Sequence, residues 1–336
     1  MTLPEIVAAA ALAALVLYAL FGGADFGAGV WDLLATGPRA AEQRALLDRA
    51  IAPVWEANHV WLILLVVLLF TGFPSAFSVA CIALHVPLTM MLFGIVLRGS
   101  AFVFRKYGGE DARRRLRWGR VFAVASTITP VFLGVILGAV TAGTIHVRDG
   151  LPASGYFAPW LRPFPFAVGA LALAACAFLA ATFAAAEARD AALRDDFRAR
   201  ALAASAAVAA TAVAAALSAR SDAAQFRAAL AGSWWSAPLL AAAAAAALGA
   251  AGALLRRRFL AARLLAAAEV AIVLAGWGLA QRPYLVAPDV TIAGAAAPDA
   301  TLRLLVGALA LGSVLLFPSL LYLYGLFFGT VRRRNT

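Results

Sequence analysis

The 336-residue chain is 64% apolar, only 13% charged and carries a formal net charge of +11, with a mean hydropathy of +0.89. Soluble domains carry about 45–50% apolar and about 25% charged residues, so charge at half that level excludes a water-facing globule of this size. The apolar residues run in long blocks, which excludes a transmembrane barrel of alternating strands about ten residues long. The composition predicts an all-α polytopic membrane protein, organised as a single integral membrane domain over 1–336.

A membrane-crossing helix needs about 20 mostly apolar residues. On that measure the chain contains nine spans, at roughly 4–35, 51–71, 75–97, 119–142, 164–187, 200–219, 234–255, 259–280 and 302–329. The first begins at the initiator Met, has no A-x-A site after it and contains Asp25 and Asp32, so a cleaved signal peptide is not expected. Within it, Gly22-Gly23-Ala24-Asp25-Phe26-Gly27-Ala28-Gly29 resembles a nucleotide loop only superficially, since no strand precedes it. Small residues there instead predict close approach of a neighbouring helix to Asp25.

Span 2 opens with Ile51-Ala52-Pro53-Val54-Trp55-Glu56-Ala57-Asn58-His59-Val60-Trp61, the densest chemistry in the chain. Pro53 suits a first helical turn, and Trp55 and Trp61 suit an interfacial belt. Glu56, Asn58 and His59 are three polar side chains on one turn, so they either line a polar cavity or meet a partner protein. Span 3 carries His85 near its middle and ends at Arg98. His59 and His85 lie on neighbouring spans but at different depths, so His85 is expected to be hydrogen-bonded in the interior rather than to share a haem iron. Cys81 and Cys176 are far apart, form no metal or disulfide pattern and are expected to pack as small hydrophobes.

Loops on one side of the bilayer hold 22 of the 28 basic residues, Arg113, Arg114, Arg115, Arg117 and Arg120 among them. Cytoplasmic loops collect Lys and Arg, which places the N-terminus in the periplasm and the C-terminus in the cytoplasm. The positive charge is therefore a topology signal, and no nucleic-acid partner is expected. The outer segments 143–163 and 281–301 read as short structured caps, and the alanine-rich stretch 199–253 predicts close helix packing.

A charge at the bilayer centre costs about 2.5–3.5 kcal/mol on insertion scales and usually has a role. Counting helix rise of about 1.5 Å per residue, Asp25, Glu56 and Arg98 converge at one depth near the inner face. Such a group fits either a cytoplasmic proton inlet or a salt bridge that only orients spans 1 to 3. Glu269, mid-span 8 with Trp277 two turns on, is either a second protonatable site or a group bonded to a backbone carbonyl.

The Gly23–Gly29 segment and the Trp55-Glu56-Ala57-Asn58-His59-Val60-Trp61 block resemble subunit II of the cytochrome bd quinol oxidases, of the shorter type. Further similarity lies in Phe73-Pro74, in Leu97-Arg98-Gly99 with Phe102 and Arg105, and in Arg282-Pro283-Tyr284-Leu285 through Thr291-Ile292 to Ala297-Pro298. The resemblance implies a terminal oxidase of the bacterial inner membrane that oxidises quinol and reduces dioxygen to water. It implies that haem b and haem d belong to the partner, subunit I. This chain would bind no haem or metal and hold no catalytic residue, supporting assembly and cytoplasmic proton supply. Small single-span accessory subunits are further partners it suggests. Asp25, Glu56 and Arg98 match positions associated with the proton route, and Trp55 one associated with a bound quinone. Glu56 stands where some members have Asp, and His59 where some have Gln, which argues against an axial-ligand role. The competing reading is a proton-coupled transporter in which Asp25, Glu56 and Glu269 bind the coupling ion, although nine spans do not divide into two equal repeats.

Overall fold

The computed structural model describes the backbone of residues 1–51, 55–107 and 111–333, and their side chains except at 50, 51, 55, 56, 106, 112 and 323–333. Among the described residues eight helices are long and apolar enough to cross a membrane, or nine when a bent pair counts as one span. In chain order α1 is Leu3–Leu33, α2 Ala40–Ile51, α3 Trp55–Asn58, α4 Val60–Gly72, α5 Pro74–Ala83 and α6 His85–Tyr107. There follow α7 Ala112–Thr141, β1 Val147–Arg148, β2 Leu151–Pro152, α8 Pro163–Glu187 and α9 Ala191–Asp222. The chain ends with α10 Ala224–Gly232, α11 Ser236–Leu255, α12 Phe259–Gln281, β3 Tyr284–Val286, β4 Val290–Thr291 and α13 Asp299–Arg333.

The expected third span is corrected. At Phe73 the backbone leaves helical geometry (φ −139°, ψ 60°), and Pro74 starts a new helix at a position where its missing N–H costs nothing. The axis turns by 115° between α4 and α5. A second break at Leu84 precedes α6, which makes the crossing. The break at Phe73 falls in the gap expected between spans 2 and 3, whereas the apolar run 75–97 hid the break at Leu84, because hydropathy does not register a change of axis.

The core is built by close helix contact. α1 lies against α8, where a methyl at Gly27 would fall 1.8 Å from the Cys176 carbonyl oxygen and one at Gly23 3.4 Å from Cys176 Sγ. The small residues around Asp25 thus admit neighbouring helices, α8 at Gly23 and Gly27 and α7 at Gly29. The main apolar cluster joins Trp31 and Leu47 to Phe178, Phe197, Ala250 and Ala266, spanning α1, α2, α8, α9, α11 and α12. The alanine-rich stretch packs in part: Ala201, Ala204, Ala215 and Ala219 are buried on α9, whereas Ala241, Ala242, Ala244 and Ala245 on α11 are exposed. Cys81 and Cys176 are free thiols.

The segments 143–163 and 281–301 are both structured caps. The β1–β2 hairpin turns through Asp149 (φ 51°) and Gly150 (φ 78°), the left-handed pair that a two-residue type I′ turn demands. The β3–β4 hairpin meets it through the Ile145–Pro288 bridge and the Val147 N–H, which donates to Asp289 Oδ2 at 2.8 Å. At the other end α2 is a short helix absent from the sequence-based expectation. Its mixed charge and apolar residues carry no 20-residue signal, yet Leu46 and Leu47 are buried.

Candidate functional site

The polar residues of α1 sit on a helix that otherwise reads as hydrocarbon. Asp25 is 5% exposed and accepts a 2.7 Å hydrogen bond from Asn58 Nδ2. Asn58, itself 2% exposed, also reaches the Phe21 carbonyl at 3.4 Å, so the end of α3 is tied to α1. The His59 ring lies edge-on to Tyr18 (5.9 Å between centroids) and tilted over Phe26 (6.3 Å). Asp25 and Asn58 therefore meet, and His59 packs beside them on the rings of Tyr18 and Phe26 rather than toward lipid. Trp55 and Glu56 have their side chains outside the described residues, and Pro53 lies outside them altogether.

Arg98 is placed differently from the expectation that it closes a span. It sits thirteen residues into α6 and is 2% exposed. Its guanidinium lies 4.9 Å from the centroid of the Phe26 ring and 5.3 Å from that of Phe122. No ion pair within 4.0 Å joins it to a carboxylate among the described residues, and its Nε and Nη2 have no hydrogen-bond partner there. Aromatic faces supply part of what a carboxylate would. The cation is thus close to Asp25, through Phe26, without a salt bridge to it.

One heptad along both helices a second set of charges closes the same end. Asp32, 6% exposed, accepts from Arg105 Nη1 at 2.6 Å and from Arg44 Nε at 3.0 Å. Arg105 also pairs with Asp48, which is 44% exposed. On the other side of α2, Arg39 donates Nε and Nη2 to Asp196 at 2.9 and 2.5 Å, and Gln43 adds 2.8 Å. The Asp196 hydrogen bond raises the Arg39 guanidinium further above its usual range. Sequence reasoning noted Asp32 and Arg105 but assigned neither to the site. The available signal was their spacing, since Asp25/Asp32 and Arg98/Arg105 are both i, i+7 pairs.

The remaining sequence-based candidates separate from this group. His85 is exposed, not mid-span. The break at Leu84 places it at the start of α6, where its ring lies edge-on to Tyr156 at 5.1 Å and its Nδ1 is 3.0 Å from the Ile82 carbonyl. His59 and His85 lie at opposite ends of the α4–α5 unit, so the two do not form a ligand pair for a haem iron. Glu269 is 7% exposed on α12, and its Oε2 has no partner among the described residues, a backbone carbonyl included. Trp277 donates to Thr141 Oγ1 at 2.8 Å. No group of three or more His, Cys, Asp or Glu residues suited to a metal ion occurs among the described residues.

The same chain can be set beside known proteins. It is 28% identical over 162 residues to cytochrome bd-I ubiquinol oxidase subunit 2 of Escherichia coli K12, covering 47% of this chain and 42% of that protein. It is 32% identical over 122 residues to cytochrome bd ubiquinol oxidase subunit 2 of Bacillus subtilis, covering 36% and 35%. The matched segments thus span less than half the length of these curated relatives. The fold of a chain in the structure of bd oxidase from Geobacillus thermodenitrificans superposes with a TM-score of 0.81 at 24% identity, covering 97% of this chain and 99% of that one. The family model for cytochrome bd terminal oxidase subunit II matches residues 3–327, and the chain belongs to that family.

Proposed function

We propose that this chain is the haem-free subunit II of a quinol:oxygen oxidoreductase in the bacterial cytoplasmic membrane, working only together with a haem-bearing subunit I. Haem b and haem d are assigned to that partner, and the chemistry they supply is the reduction of dioxygen with electrons from quinol. This chain supports assembly and leads protons from the cytoplasm toward the partner through Asp25, Glu56 and Arg98. Trp55 borders a structural quinone, and small single-span subunits complete the complex. The basic loops face the cytoplasm, with the N-terminus in the periplasm.

The observation that carries the proton role is Asp25, 5% exposed and hydrogen-bonded to Asn58 at the arginine-rich end of a chain of this family. A carboxyl held inside hydrocarbon faces a steep cost when charged. An amide donor and a nearby guanidinium lower that cost, so the group can exchange a proton within the membrane. The transporter reading loses ground because the family match runs over 3–327.

The test is Asp25→Asn in the co-expressed complex. The expected result is a normal visible haem spectrum with quinol-driven oxygen consumption lowered by about tenfold or more, in the range of a lost proton-transfer group. Unchanged turnover at saturating quinol removes Asp25 from the route. Spectra of the chain purified alone and with its partner test the division of labour. Haem bands in the complex alone support it, and stoichiometric haem in the isolated chain overturns it.

A further inference from the structure

A cleft of about 310 Å³ opens between the start of α2 and the first third of α9. Thr36, Arg39 and Gln43 line it from the α1–α2 connection and α2, and Asp196, Ala199 and Arg200 from α9. Its two cations are bound unequally. Arg39 forks onto Asp196 through Nε and Nη2, and Gln43 Nε2 adds a third donor to the same carboxylate. Asp196 is therefore committed to Arg39. Arg200 gives Nη2 to Gln43 Oε1 at 2.7 Å, while its Nη1 is buried without a hydrogen-bond partner among the described residues. No carboxylate there lies within 4.0 Å of the Arg200 guanidinium. With two arginines and one aspartate, the cleft keeps one positive charge uncompensated.

The place of Arg200 along α9 says what can compensate it. It is the tenth residue of that helix and the last charge before the uncharged stretch 201–219. The guanidinium thus stands where the helix passes from a polar start into an apolar run, the level of lipid headgroups. It is braced 5.1 Å from the centroid of the Phe197 ring and 5.5 Å from that of Trp31. Ala199, in the cleft, also begins a row of exposed residues on one face of α9, continued by Ala203, Ala206, Ala210, Val213 and Leu217. The spacings of four and three keep the row on one side. It runs for about 27 Å at helical rise, more than half of a hydrocarbon layer about 30 Å thick. The small side chains nearest the cleft leave room for a chain to lie against the helix backbone.

We propose that this cleft and the row leading from it bind one anionic phospholipid, its phosphodiester on Arg200 and an acyl chain along Ala203, Ala206 and Ala210. A phosphodiester carries one negative charge, which matches the one positive charge left over. A planar guanidinium fork suits phosphate oxygens, and a small turn of the Arg200 side chain brings Nη1 onto one of them. Asp196 does not repel the headgroup strongly, because both its oxygens face the donors of Arg39 and Gln43. A choline headgroup would add a second cation to a cleft that is already positive, so phosphatidylglycerol is preferred to phosphatidylcholine. Free phosphate shares the headgroup chemistry but has nothing to place along α9.

The test titrates the co-expressed complex, stripped of native lipid in nonionic detergent, with phosphatidylglycerol. Bound lipid is counted per complex by mass spectrometry, with haem content as the control for assembly. The parent is expected to hold one phosphatidylglycerol that phosphatidylcholine does not replace. Arg200→Gln is expected to bind it about fivefold more weakly, the loss of about 1 kcal/mol that one basic residue contributes at a lipid surface. Ala206→Phe, on the exposed row, is expected to weaken it as well. Parent affinity in Arg200→Gln overturns the site, as does equal retention of phosphatidylcholine or no retained lipid in the parent. Displacement by inorganic phosphate with Ala206→Phe unaffected marks a free-phosphate site and overturns the lipid. Should Arg200→Gln lose haem, Ala203→Glu decides it, since it sets a negative charge on an exposed position one turn from Ala199. Weakened binding in Ala203→Glu supports the proposal, and parent binding overturns it.

Discussion

Arg98 and Arg105 stand one heptad apart on α6 and hold the ring of Phe122 between them, at 5.3 and 5.1 Å from its centroid. A single aromatic side chain on α7 thereby serves two cations, one fully buried and one tied to Asp32 and Asp48.

Removing that ring should be costly. Phe122 is 2% exposed, and Phe→Ala at a buried site costs about 3–5 kcal/mol before the cation–π contacts are counted. Phe122→Ala is expected to lower the thermal midpoint of the purified complex by several degrees, with Phe122→Tyr closer to the parent. A midpoint identical to the parent in Phe122→Ala would show that the two arginines do not depend on the ring.

Asn58 is the described donor to Asp25, at 2.7 Å. Asn58→Ala leaves a buried carboxyl without that bond, a change of about 1–3 kcal/mol. The complex is expected to assemble with full haem content and to turn over several-fold more slowly. Parent turnover in Asn58→Ala would mean that the amide only docks α3 on α1.

Helix approach at α1 and α8 separates glycines that matter from those that do not. A methyl at Gly27 would fall 1.8 Å from the Cys176 carbonyl oxygen, whereas at Gly252 nothing lies within 4 Å. Backbone cannot yield as a side chain tip can, so Gly27→Ala is expected to cost at least about 1–3 kcal/mol and to reduce the yield of assembled complex. Gly252→Ala should be neutral or stabilise α11 by up to about 1 kcal/mol. Equal yields of the two variants would contradict the contact.

Asp222 closes α9 yet serves the start of α8. Its carboxylate accepts from the Phe164 N–H at 3.2 Å and from Arg162 Nη2 at 3.0 Å. An anion is favourable at a helix N-terminus and unfavourable at a C-terminus, so the α8 contact is what holds it there. Asp222→Ala is expected to destabilise the chain by about 1–2 kcal/mol, in the range of a lost helix cap, read as a lower thermal midpoint with the haem spectrum unchanged. A midpoint equal to the parent would show the cap to be dispensable.

Much of this protein was legible in the chain itself. Long apolar runs specify membrane helices because no other element satisfies its own backbone in lipid. Asp25 and Glu269 stand out because a carboxyl amid alanine and leucine has no cheap explanation. The Trp55–Trp61 block, being contiguous, carries the family resemblance without any knowledge of the fold. Other features arise only when helices meet. The break at Leu84 depends on backbone angles that hydropathy cannot register, and it sets the helix at His85–Tyr107, with His85 at an exposed start and Arg98 inside it. Asp32 and Arg105 are visible in sequence as charges, but not as partners. They become a pair because α1 and α6 pack with those positions facing one another, and a buried polar atom's partners are fixed by neighbouring helices, not by its neighbours in the chain.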